Sequence, residues 1–287
     1  MCSSDLAIVS SLYAPNGQGG AERVAQDLAE GLAARGHEVH VLTLGRASGF
    51  GHATLNGVRV RPVPLRNLYW PFPVSRAPWP GKLAWHAIDA HNPAMASAVD
   101  GLLEEIRPEL VHTHNLAGFS AAIWAPAARR GLPLVHTLHD YYLLCPRSTM
   151  RKGERNCDAP CLACRAVTLP RRALARHVGH VTGVSRHLLD RHLERGLFAG
   201  AGASVVYNGF GAPAPERERT SGAKPRIGYL GSLVPAKGPD RLVDAFLRLP
   251  AGAAELRIAG AGDAGYEADL RRRTARSEEH TSELQSR

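Results

Sequence analysis

The chain has no run of 18 uninterrupted apolar residues, so no stretch of it has the length and hydrophobicity of a membrane-spanning helix. The first residues also lack the basic, then apolar, then small-residue order of a secretory leader, and a cytoplasmic protein is expected. Also missing is the third glycine of a dinucleotide fingerprint. Gly17-Gln18-Gly19 is followed by Gly20-Ala21-Glu22, which disfavours a nicotinamide dinucleotide as ligand.

What is present is ordinary globular composition. The chain has 287 residues, 44% hydrophobic and 21% charged, enough for one large or two ordinary domains with a real core. Its formal charge of +9 admits nucleic acid, phosphorylated ligands or an anionic membrane face as partners, and charge alone does not choose among them. Both ends, 1–6 and 276–287, resemble translated sequencing adapters. They are set aside from fold reasoning, which places the natural segment at about Ala7 to Ala275 and makes the positive excess larger.

The organising stretch is Ala7 to Leu44. Ala7 to Leu12 is an apolar run of strand length, broken by Pro15, Gly17, Gly19 and Gly20. A helix follows, with Ala21, Val24, Ala25, Leu28, Ala29, Leu32 and Ala33 on one face and Arg35-Gly36 closing it. His37 to Leu44 is the next strand, and a strand pair joined by a helix implies a parallel sheet. Glycines at a helix start let a phosphate approach unpaired backbone N–H groups. The same glycines could simply turn the chain.

Further along, Leu110 to Asn115 and Leu134 to Asp140 are strands ending in polar residues. Ligands of a parallel sheet bind beyond the carboxyl ends of its strands, which directs His114, Asn115, His139 and Asp140 toward one crevice. His139 with Asp140 is the candidate catalytic pair, although any one of these histidines could be a satisfied structural group. Trp70, Trp79 and Trp85 lie close together with Arg66, Arg76 and Lys82 between or beside them. This segment reads as a surface lobe for a lipid-linked or sugar acceptor or a membrane interface, or else as a loop packed on its own domain. Residues 211–225 have linker composition, and 226–275 open a second strand, loop and helix series in which Lys237 beside Gly238 could neutralise a phosphate, or be an ordinary surface lysine.

Cys145, Cys157, Cys161 and Cys164 are spaced C-x₁₁-C-x₃-C-x₂-C on a basic segment. In a reducing compartment that pattern suits a structural zinc, with free thiols or a redox pair as the alternatives.

Taken in order, several blocks resemble the retaining glycosyltransferases of family 4. They are Gly19-Gly20-Ala21-Glu22-Arg23 with Arg35-Gly36-His37-Glu38-Val39, Val111-His112-Thr113-His114-Asn115, His136-Thr137-Leu138-His139-Asp140, Gly183-Val184-Ser185, Val206-Tyr207-Asn208-Gly209, and Ile227-Gly228-Tyr229-Leu230-Gly231 with Lys237-Gly238. The resemblance implies an α/β protein of the GT-B fold: two Rossmann-like, doubly wound parallel-sheet domains, with 7–210 on the acceptor side and 226–275 as the start of a truncated donor domain. It implies a nucleotide-sugar donor between the domains, its diphosphate near Gly19, Gly20, Ser232 and Lys237, and His139 beside the transferred sugar. His114, Asn115 and Asn208 are assigned to the acceptor or the crevice. The acceptor would be a polysaccharide or lipid-linked glycan of the cell envelope, with peripheral contact at the inner membrane face and no nucleic acid.

No cofactor is expected for catalysis, because no Asp-x-Asp motif appears and backbone N–H groups with a lysine can stabilise a leaving diphosphate. Two departures stand out: Ser232 occupies a position where the family commonly has Arg, and the family's acidic E-x₇-E block lies beyond residue 275. The stretch as it stands is therefore expected to be inactive. The competing readings are a basic zinc-knuckle module that binds nucleic acid and a catalytically dead sugar-binding homologue.

Overall fold

Short apolar strands alternating with helices define the architecture of the computed structural model, which describes residues 3–17, 19–46, 53–72, 77–153, 155–209, 224–275 and 282–285. The chain divides into two units, Met1–Gly211 and Ala212–Arg287. Most of the linker expected at 211–225 lies outside the described residues, as does Arg76 of the aromatic segment.

In the first unit the chain runs β1 (Asp5–Ser10), α1 (Gly20–Ala33), β2 (Glu38–Gly45), β3 (Ala53–Leu55), β4 (Val58–Pro64), α2 (Trp79–Ala90), α3 (Pro93–Ile106), β5 (Leu110–Thr113), α4 (Trp124–Arg129) and β6 (Leu134–Leu138). After these come a small hairpin of β7 (Arg151–Lys152) and β8 (Arg155–Asn156), then α5 (Leu162–Leu174), β9 (His180–Gly183), α6 (Arg186–Leu193) and β10 (Gly202–Val205). Eight strands form one sheet in the order β10-β9-β6-β5-β1-β2-β4-β3, parallel except where β3 meets β4. Two of its inner strands carry much of its driving force. Ala7, Ile8 and Val9 of β1 and Val39, Val41 and Leu42 of β2 are all buried, as expected of parallel strands covered on both faces.

The strand order locates the functional end. From β1 the chain builds outward through β2 and β4, then returns to the other side of β1 as β5 and continues to β6, β9 and β10. Beyond the carboxyl ends of β1 and β5 the connections diverge, and a crevice opens there.

Local chemistry fixes the helices that frame it. Asn92 caps α3, its side-chain oxygen accepting from the Met95 N–H at 3.1 Å, with Pro93 in the first turn. Ser185 does the same for α6 through the Leu188 N–H at 3.2 Å. Just before it, β9 meets α6 so closely that a Cβ at Gly183 would lie 2.7 Å from the Leu189 Cβ, which only glycine avoids.

Two features differ from the sequence reading. Part of the aromatic segment read as a surface lobe folds as α2, because Pro80 falls in its first turn, where a missing N–H costs nothing. Trp85 is buried with its indole N–H on the Tyr69 carbonyl, whereas Trp79 is 76% exposed. The ends set aside above also carry strand residues: Asp5 and Leu6 pair with Glu38 and Val39, and β13 (Ser282–Gln285) pairs in parallel with a strand of the second unit. A strand ladder joins backbone groups, so it forms whatever the origin of the sequence.

The second unit comprises β11 (Arg226–Leu230), α7 (Pro239–Phe246), β12 (Glu255–Ala259), α8 (Ala264–Ala275) and β13, with strand order β11-β12-β13, all parallel. Its core is Leu233, Val243, Phe246, Leu256, Ile258 and Leu270. Among the described residues of either unit, no helix is long and apolar enough to cross a membrane.

Candidate active site

Strands β5 and β6 bring their polar ends together. His114 and His139 share a hydrogen bond of 2.9 Å between Nδ1 and Nε2, with stacked rings 5.2 Å apart. His112 lies 4.4 Å from the His114 ring, and its Nε2 bonds the Thr137 hydroxyl at 2.8 Å, which in turn meets Thr182 at 2.7 Å. On the other face of β6, His136 Nδ1 pairs with the Thr113 hydroxyl at 2.9 Å.

Burial decides the protonation of this cluster. It pulls His112 and His139 down to about 4 and holds His114 and His136 well below the usual imidazole range; neighbouring histidines add to the effect for all but His139. All four are therefore neutral near pH 7, and each has one N–H to donate and one lone pair to accept. Nε2 of His114 is buried without a partner among the described residues. His139 is half-buried, and the hydrogen bond to His114 uses only its Nε2, leaving Nδ1 for a ligand.

Asp140 does not pair with His139. Its carboxylate accepts from the Tyr142 N–H at 2.8 Å and turns the loop after β6. Burial pushes its pKa up to about 6, opposed by that N–H and by Arg171 and reinforced by Glu22. The loop is propped from below by a group the sequence reading did not single out. Asp89 of α2 accepts from Arg171 of α5 at 2.8 Å, from the Tyr142 hydroxyl at 2.7 Å and from the Gly118 N–H at 2.7 Å. Both ion-pair side chains are fully buried, and the guanidinium lies 3.8 Å from the Tyr142 ring centre. Burial raises the Asp89 carboxyl and Arg171 draws it back. A single Asp in α2 and a single Arg in α5 give no sequence signal of their pairing, because 82 residues separate them.

Across the crevice, α1 begins with Gly19 in extended conformation and no side-chain cap, leaving first-turn N–H groups for an anion. Nothing lies within 4 Å of where a Cβ on Gly20 would stand. Glu22 folds back over Gly19, and its carboxylate accepts from the Asn115 side chain at 3.2 Å. Asn115 is held in turn through its carbonyl by the Ser11 hydroxyl at 3.0 Å. Glu22 was visible as part of a motif, but its contact with Asn115 was not. The structure thus gathers Gly19, Gly20, His114, Asn115, His139 and Asp140 at one end of the first unit's sheet. The His114–Asp140 group itself encloses only about 10 Å³, one water's worth of space.

The remaining expected residues are described each within its own unit. Asn208 is exposed in the segment that follows β10. Ser232 and Lys237 are exposed in the second unit, where Lys237 ends a short 3-10 turn and Gly238, at φ 70°, starts α7. The four cysteines are free thiols graded from core to surface, Cys145 buried, Cys157 and Cys164 half-buried and Cys161 exposed at the start of α5. Cys164 is within hydrogen-bond reach of both Cys145 and Cys161, and burial pushes it up to about 12. Among the described residues no group of three or more His, Cys, Asp or Glu side chains is arranged to hold a metal ion.

Comparison with known proteins agrees with this architecture. The sequence profile described as Glycosyltransferase Family 4 matches residues 18–211. An uncharacterised 42.6 kDa protein in the cps region of Klebsiella pneumoniae is 30% identical over 237 residues, covering 83% of this chain and 63% of its own. The chain thus spans somewhat under two thirds of that relative's length. Anabaena HepE, solved in complex with UDP and glucose, superposes with a TM-score of 0.60 at 18% identity, covering 99% of this chain and 69% of its own. An α,α-trehalose-phosphate synthase (UDP-forming) from Burkholderia vietnamiensis gives 0.57 at 13% identity, with 99% and 73% covered. These structures share the GT-B type of α/β fold with its large parallel sheet.

Proposed function

This chain belongs to glycosyltransferase family 4, and on that premise we propose that its protein transfers a sugar from a nucleoside-diphosphate donor to a glycan or lipid-linked acceptor in cell-envelope polysaccharide synthesis. The carrying observation is the convergence of His114, Asn115, His139 and Asp140 at the strand ends opposite the uncapped start of α1. As the glycosyl bond breaks, negative charge develops on the leaving diphosphate. The Gly19 and Gly20 end of α1 offers N–H groups and a helix dipole to that charge, and Lys237 with Ser232 is assigned to the same donor phosphates. His139, neutral and anchored by His114, contacts the transferred sugar through its free nitrogen. Asp140 acts through the loop that sets His139. On this reading no divalent cation takes part and the anomeric configuration is retained. The relative from a cps region supports the envelope setting, and the exposed Trp79 and Leu83 support a lipid-linked acceptor at a membrane surface.

The test is a panel of nucleoside-diphosphate sugars offered to the longer protein, with the acidic block expected beyond residue 275, together with polyprenyl-phosphate and oligosaccharide acceptors in EDTA, with transfer read by mass spectrometry and donor binding by calorimetry. Transfer from one donor, reduced about 100-fold in kcat by His139→Ala, is expected; an interaction present only in the transition state has that order of worth. Failure to bind any nucleoside diphosphate would sink the reading.

A further inference from the structure

A second cavity shares no lining residue with the histidine crevice, Leu143 lining the crevice and Leu144 this cavity. It measures about 400 Å³, within the range of small-molecule sites. Arg165, Thr168 and Arg172 reach it from successive turns of α5, Glu194 and Arg195 from the turn that ends α6, and Pro160 from the cysteine-bearing segment.

The chemistry of this lining is unbalanced. Arg172 donates to the Arg195 carbonyl at 2.6 Å, and Arg195 donates to the carbonyls of Arg191 and Asp158. Backbone carbonyls satisfy hydrogen bonds but do not neutralise a guanidinium, which stays charged at any physiological pH. Glu194 is the one carboxylate among the lining residues. It is 63% exposed and lies 3.6 Å from Arg195. The Arg165 side chain has no hydrogen-bond or ion-pair partner among the described residues, and the buried Nε of Arg195 has no acceptor. Three permanent cations and one carboxylate thus line a space large enough for a ligand. Planar guanidinium forks match the oxygens of a phosphate group.

We propose that this cavity binds the phosphate or diphosphate group of a ligand other than the sugar donor, held by Arg165, Arg172 and Arg195. Two sources share that chemistry, an anionic lipid headgroup and a soluble phosphate ester. Leu162 and Leu169, 81% and 64% exposed on α5, bracket Arg165 in sequence and offer apolar contact to a lipid.

The probe is inorganic pyrophosphate, titrated calorimetrically into the full chain, alongside co-sedimentation with phosphatidylglycerol and with phosphatidylcholine vesicles. Pyrophosphate is expected to bind, and Arg165→Ser and Arg172→Ser are each expected to weaken it about tenfold, the worth of one charge-assisted hydrogen bond. Glu194→Gln should tighten it a few-fold, which guards against loss through misfolding. Lys237→Ala, in the other unit and assigned to the donor phosphates, should remove only pyrophosphate bound there and leave the arginine-dependent fraction unchanged. Arginine-dependent pelleting with phosphatidylglycerol but not phosphatidylcholine identifies a lipid headgroup; pyrophosphate binding without pelleting identifies a soluble phosphate. The proposal is overturned if pyrophosphate does not bind, or if binding follows Lys237 and ignores the arginines. Neither result bears on whether the histidine crevice handles a sugar.

Discussion

The histidine crevice and the arginine cavity sit in the same unit and treat ionisable side chains in opposite ways. In the crevice, burial strips the charge from the histidines, and the neutral rings bond one another and their threonine neighbours, with the buried Nε2 of His114 left without a partner among the described residues. In the cavity, guanidinium groups cannot be neutralised, so they take carbonyl partners and keep their charge. The first environment is dry and stakes stability on fixed hydrogen bonds. The second is open, and its charges are available to a ligand. Asp89 and Arg171 are the limiting case, an ion pair with both partners fully buried beneath the crevice loop.

The largest test of that contrast is Asp89→Ala. It strands the Arg171 guanidinium in the interior, and the expected loss is about 3–5 kcal/mol of unfolding free energy by denaturant titration. Replacing both Asp89 and Arg171 by leucine should cost less than the single change, since no charge is then buried alone. A double variant as unstable as the single one would mean that shape at this position, and not charge, holds the loop.

A second test uses acid. His112 and His139 titrate near 4 in the folded chain against about 6.5 unfolded, so the stability they contribute is complete above pH 6.5 and is lost as pH falls through 4. Asp140 works in the other direction, because a carboxyl raised to about 6 stabilises most at low pH and its contribution is lost as pH rises through 6. The histidines outnumber it. Each net proton taken up on unfolding tilts stability by about 1.4 kcal/mol per pH unit, or about 3 kcal/mol across the window. The midpoint of urea denaturation measured between pH 7 and 4 should fall accordingly, and His112→Asn should flatten the slope. A flat profile in the parent chain would mean that the crevice is wetter than the structure depicts.

How much of this could be read from the sequence depends on the range of the interaction. Strands β1, β2, β5 and β6 announce themselves as apolar runs with polar ends, and α1 as helical spacing closed by Arg35-Gly36, because those signals are local. Strand order is not local, and so the crevice between β1 and β5 could be assigned to strand ends but not to a particular pair. Pro170 and the adjacent Arg171 and Arg172 hide α5; α2 is hidden by the prolines around Trp79. With α5 hidden, the Asp89–Arg171 pair and the arginine cavity were invisible as well. Glu22 was quoted as part of a motif, yet its fold back over Gly19 toward Asn115 is a contact spanning 93 residues.

A smaller test probes the helix that connects the two regions. Ser185 caps α6, whose buried Leu188 and Leu189 lie at the crevice end and whose last turn delivers Glu194 and Arg195 to the cavity. Ser185→Ala should cost about 1 kcal/mol, the usual worth of such a cap. If α6 transmits that loosening to the cavity, pyrophosphate affinity falls as well; if only stability changes, the cavity is shaped by α5 alone.

The smallest expected effect is the sharpest discriminator. Arg165→Ser removes an exposed side chain without a partner among the described residues, so unfolding free energy should move by less than about 0.5 kcal/mol. The same substitution is expected to weaken pyrophosphate binding about tenfold. Stability and binding are thus uncoupled at this position, as a residue kept for a ligand requires, whereas at Asp89 the structural cost dominates. A stability loss of several kcal/mol at Arg165 would make the cavity a structural joint between α5 and α6 and remove the contrast between the two regions.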